Sequence, residues 1–149
     1  MRKLLSFLLC LIIVSASIPV SASEAVDPTM SRELTLDNGM HVLEEIYVYA
    51  SSRTTERTAV HKKSFYDGDT LIAVIAFTAT FRYDGSSVSV VSKSVTQTDT
   101  YGGWSYKQES FTSSGGTVTL TGKLKYLLIL NSTAFTMSMT CDANGNISY

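Results

Sequence analysis

The sequence predicts an all-β fold: a single antiparallel β-sandwich of about seven to eight strands over residues 33–149. Three observations carry this. Long stretches alternate apolar side chains with Ser, Thr or Lys, the period-2 signature of a half-buried strand. Turn signals separate them at Asn38-Gly39, Asp67-Gly68, Asp84-Gly85, Ser114-Gly115-Gly116 and Asn144-Gly145. Beyond Pro28 the chain has no proline to interrupt a ladder.

Residues 1–22 read as a secretory signal peptide. Met1-Arg2-Lys3 is a positive start, Leu4 to Val14 an apolar run, and Val20-Ser21-Ala22 a small-residue cleavage site. A retained anchor would need roughly 20 continuous apolar residues, and Ser15, Ser17, Pro19 and Ser21 interrupt this run. The expected product is secreted, extracellular or at the cell envelope, with no transmembrane anchor after cleavage. Loss of Arg2 and Lys3 takes the formal net charge from −1 to about −3. No long basic run remains, which argues against nucleic acid as a partner. Cys10 leaves with the leader, and Cys141 alone cannot form an intramolecular disulfide.

Residues 23–32 read as a flexible lead-in. Ile46, Val48 and two tyrosines make "HVLEEIYVYA" a strand leaving the Asn38-Gly39 turn, and Ala50 to Thr58 a polar connection. Leu71, Ala73, Ile75, Phe77, Ala79, Phe81 and Tyr83 share one face of a long strand. A two-residue Asp84-Gly85 loop would pair Phe81 with Val88 and Ala79 with Val90. Further on, Val118, Leu120, Leu124, Tyr126 and Leu128 form one apolar face, and Phe135, Met137, Met139 and Cys141 another. Between them, a three-residue Ser113–Gly115 loop would pair Tyr106 with Gly122 and Trp104 with Leu124, leaving Phe111 outward. A one-residue shift buries Phe111 but turns Glu109 toward Leu120.

Catalytic groups are scarce. His41 and His61 stand alone in strands and read as surface histidines; neither has a second ligand at metal spacing. Nucleophile-elbow, phosphate-loop and dinucleotide signatures are missing. Glu44 and Glu45 are adjacent on a strand, so they face opposite ways and cannot act as a pair. "CDANGN" places Asp142, Asn144 and Asn146 at alternating positions, but the sixth position of a calcium loop needs glycine and holds Ile147. No cofactor, metal or enzymatic activity is expected.

Two features remain as contacts. "YGGWSY" sets Tyr101, Trp104 and Tyr106 around a glycine pair. The two readings are a ligand platform and a core plug, and large aromatics favour the plug. Tyr101, in the loop, is the better exposed contact. "LLIL", Leu127, Leu128, Ile129 and Leu130, is an apolar tip that closes the core or touches a partner or membrane.

Taken together, "FRYDGSSVSVV", Trp104, "SGG", "CDANGN" and, more weakly, "LDNGM" resemble a group of small secreted β-rich proteins of Gram-positive bacteria. The resemblance implies export and an all-β fold and brings no activity with it. It also implies a second cysteine where Val90 stands, bridging to Cys141, so that Val90 and Cys141 would be core neighbours. The expected role is a non-catalytic binding module for a cell-wall polysaccharide or surface protein; the alternative is a membrane-active, bacteriocin-like effector.

Overall fold

The computed structural model describes residues 28–49, 55–127 and 132–149. They form no helix and nine strands: β1 (Met30–Thr35), β2 (His41–Tyr49), β3 (Glu56–Asp67), β4 (Thr70–Tyr83), β5 (Val88–Thr100), β6 (Trp104–Ser114), β7 (Thr117–Tyr126), β8 (Ser132–Cys141) and β9 (Ile147–Ser148). Two antiparallel sheets result, one ordered β1-β2-β3-β4-β5 and the other β6-β7-β8-β9. The count exceeds the expected seven to eight, because β1 begins at Met30 inside the supposed lead-in and the Asp142–Asn146 turn returns the chain as β9. The expected leader, residues 1–22, lies outside the described residues.

Alternation builds the core. Val42, Ile46, Ala59, Phe65, Ile75, Phe77 and Phe81 of the first sheet meet Val118, Leu120, Leu124, Phe135, Met137 and Met139 of the second in one cluster. The rings of Phe65 and Phe135 lie 4.9 Å apart across the sheets, and those of Phe77 and Phe111 5.5 Å. Cys141 is buried and free, and Val90 packs against the cluster that holds it.

Several expected registers are corrected. Asn38 does not take positive φ; only Gly39 does, and its N–H donates to the Leu36 carbonyl. This is the longer hairpin loop with one left-handed glycine. The β4–β5 loop has four residues, pairing Tyr83 with Val88 and Phe81 with Val90. Asp84 makes it so: its carboxylate accepts from the backbone N–H of Ser86 and Ser87 and from both hydroxyls. These bonds hold the carboxyl well below the usual range. The β6–β7 loop is Gly115-Gly116, with Ser114 opposite Thr117. Trp104 therefore pairs with Tyr126 and Tyr106 with Leu124. Glu109 is the extra residue of a bulge, which lets Phe111 face Leu120 while Glu109 stays exposed beside Lys123. A bulge also interrupts β4: Phe65 pairs with Ala73 and Tyr66 with Leu71, so Ile72 turns into the core in place of Leu71.

Candidate ligand-binding cleft

Gly102 and Gly103 both have positive φ, at 60° and 85°, and form the tight turn that carries the chain from β5 in one sheet to β6 in the other. Trp104 N–H donates to the Tyr101 carbonyl across it. Tyr101 N–H donates to the Ile72 carbonyl at 2.9 Å, which ties the turn to the β4 bulge. Both tethers hold Tyr101 and Trp104 beside the β3–β4 hairpin.

The result is an open cleft of about 380 Å³ lined by Asp67, Thr70, Leu71, Ile72, Tyr101, Gly102, Trp104 and Tyr126. Trp104 and Tyr126, directly opposed in the ladder, place their rings 5.4 Å apart at a tilt of 46°. Trp104 is half-buried: it packs against the core and also forms a wall of the cleft. The two readings of this tryptophan meet in one position. Tyr101, at 45% exposure, gives the cleft its accessible face.

Tyr106 does not join them. Its ring faces inward over Gly122 and stacks on Phe135 with centroids 6.0 Å apart, and its hydroxyl is buried. Burial raises its pKa. Leu127 stands 77% exposed just beyond Tyr126, its N–H donating to the Gly103 carbonyl. Leu128, Ile129 and Leu130 of the same tip lie outside the described residues.

A second cluster sits inside the core. Glu44 faces inward between Val42 and Ile46, and Lys63 and His61 face inward from β3. Glu44 Oε2 accepts from Arg32 Nε at 2.7 Å and pairs with Arg32 Nη2 at 2.6 Å. Glu44 Oε1 lies 2.6 Å from His61 Nε2 and 3.1 Å from Lys63 Nζ. Lys63 Nζ also donates to the Thr136 carbonyl of β8, spanning the sheets. Tyr149 covers the group: its hydroxyl donates to the Glu44 carbonyl, and its ring lies 3.9 Å below the Arg32 guanidinium.

Electrostatics orders these charges. Burial alone would raise the Glu44 carboxyl, but the bond from His61, the charge of Lys63 and the bond from Arg32 outweigh it and hold it at about 2. Burial pushes the His61 imidazole below its usual value and Lys63 likewise, each partly countered by Glu44. A neutral His61 donates Nε2–H to Glu44, leaving Nδ1 buried without a partner. The expected surface histidine is thus wholly buried, at 0% exposure, between the rings of Phe77 and Tyr149. Glu44 and Glu45 do face opposite ways, each with its own lysine: Lys63 inside, Lys62 outside at 2.8 Å. His41 is exposed and lines a separate cleft of about 350 Å³ with Glu33, Tyr66 and Asp69. Asp142 is a turn residue: its carboxylate accepts from the N–H groups of Asn144 and Asn146.

Asp67, Thr70, Leu71 and Tyr126 escaped the sequence reading because the cleft depends on a bulge that no residue type announces. The ion cluster did leave a signal: three ionisable residues, Glu44, His61 and Lys63, fall on the apolar phase of their strands. Comparison with protein-family models, curated proteins and solved structures finds no match for this chain.

Proposed function

We propose that this chain is an exported, non-catalytic β-sandwich protein that binds a small group displayed at the cell envelope, on a cell-wall polysaccharide or a surface protein. The observation that carries the proposal is the cleft that brings Tyr101, Trp104 and Tyr126 together at the corner between the sheets. Concave sites lined by aromatic side chains with few polar groups are the usual form of a small-ligand site. The leader-like residues 1–22 and the resemblance to secreted proteins of Gram-positive bacteria support export. A non-catalytic role is supported by His61, the imidazole with a carboxylate partner, being committed to the core. The test is a titration of Trp104 fluorescence with purified cell-wall polysaccharides. A saturable change lost in Tyr101→Ala supports the reading; indifference to every polymer removes it.

The second reading, a membrane-active effector, draws on Leu127, whose 77% exposure leaves a large apolar side chain beside the cleft. Dye release from anionic vesicles at micromolar protein, reduced in Leu127→Ser, would favour it. No release at that concentration rejects it.

A further inference from the structure

We propose that the group entering the Trp104 cleft is a quaternary ammonium. The inference rests on the binding reading above and names the ligand class of that same site. Three aromatic side chains line the cleft together with one carboxylate, Asp67, and no Lys or Arg among the described lining residues. Glu45, Glu56 and Glu109 each have a cation beside them, Lys62, Arg82 and Lys123, whereas the strand carboxylates Glu33, Asp67 and Asp99 have none among the described residues. Asp67 has no ion-pair partner among the described residues. The charge of the site is therefore uncompensated and negative, and aromatic faces add their own negative potential.

The polar complement decides between ligands. A sugar ring presents several hydroxyls that need donors and acceptors at fixed positions. Beyond Asp67, the cleft side chains offer only the Thr70 and tyrosine hydroxyls and the tryptophan N–H, with no amide or guanidinium. A primary ammonium is compact and strongly hydrated, and each of its three N–H donors must find an acceptor as it leaves water. A quaternary ammonium has no N–H and asks only for apolar contact and negative potential. The volume of about 380 Å³ admits its methyl groups together with the stem that carries them.

The test uses choline, its uncharged isostere 3,3-dimethylbutan-1-ol, and N-acetylglucosamine, each titrated against Trp104 fluorescence at constant ionic strength. Choline is expected to saturate the signal at millimolar concentration, with the isostere at least about fivefold weaker. Asp67→Asn, an exposed position, should weaken choline about two- to fivefold, and Tyr101→Ala should weaken it further. Equal binding of the isostere, or an unchanged Asp67→Asn variant, overturns the cation inference and leaves a neutral apolar slot. A response to the sugar alone also overturns it while sparing the binding reading. Silence toward all three small molecules overturns the cation inference, and the polysaccharide titration then decides the binding reading separately.

Discussion

Glu44→Gln at pH 7 should cost about 3 kcal/mol of folding stability, a large share of what a domain of this size possesses. Two routes lead to that figure. Lowering the carboxyl from its ordinary value of 4.5 to about 2 corresponds to about 3 kcal/mol of preferential stabilisation of the charged form. Removing one member of a buried ion pair costs about 3–5 kcal/mol in general, because the partner stays behind uncompensated. The partners here are unequal. Arg32, with 46% of its side chain exposed, can turn back to water, whereas Lys63 at 10% and His61 at 0% cannot. Most of the cost therefore lies in the stranded Lys63 ammonium.

Urea unfolding followed by Trp104 emission measures it, since that ring packs on the core. The double variant Glu44→Gln/Lys63→Met should recover at least half of the loss, as it removes the unpaired charge and leaves an apolar stem of similar length. A loss below about 1 kcal/mol, or no recovery on adding Lys63→Met, would refute the account. The first result would mean that water reaches the cluster and screens it, the second that the cost does not lie in the Lys63 ammonium.

Three further outcomes follow from the same contacts. In acid, the unfolded chain takes up the His61 proton before the folded one does, since burial lowers the folded value. Stability should begin to fall below about pH 6.5 and fall again from 4.5 toward 2 as Glu44 is protonated; a flat urea midpoint from pH 7 to 4.5 would contradict a buried neutral His61. Gly122→Ala would set a methyl 2.6 Å from Tyr106 Cε2 and 3.1 Å from the Lys107 carbonyl, an overpacking expected to cost about 1–3 kcal/mol and to be relieved by adding Tyr106→Leu; thermal melts of the single and double variants check it. Tyr149→Ala should lower the melting temperature and open His61 to modification by diethyl pyrocarbonate, from which burial should shield it in the wild type, because Tyr149 lies against its ring.

The sheets were legible because period-2 patterning survives anywhere that one face is dry and the other wet. Leu120, Leu124, Met137 and Met139 sit in the core as their spacing requires. What escaped was local. A bulge adds one residue and swaps the faces beyond it, so Leu71 and Ile72 exchange roles without any change of composition. The Phe111–Glu109 conflict was itself a bulge signal: no single register satisfies both residues, and an inserted residue does. His61 was misplaced for another reason. Burial of an imidazole is decided by its partner, and Glu44 reaches it only through a β2–β3 register that sequence spacing does not supply.

The β4 bulge and the Gly102-Gly103 turn also explain why the candidate site stands where it does. A regular β4 would turn Leu71 inward, and Tyr101 would then meet a different carbonyl; the bulge presents the Ile72 carbonyl to Tyr101 N–H and leaves Leu71 to line the cleft. The Gly102-Gly103 turn then sets Trp104 opposite Tyr126 in the second sheet, so the cleft walls belong to both sheets while its corner is a single short turn. The buried charges work at a distance from it. Lys63 links β3 to the Thr136 carbonyl of β8, and Glu44 joins Lys63 to β1 and β2. A hydrophobic interface tolerates sliding, whereas a directional bond from a buried ammonium across it tolerates little. The cluster thereby holds one sheet in register over the other, which is what an aromatic cleft with one wall in each sheet requires.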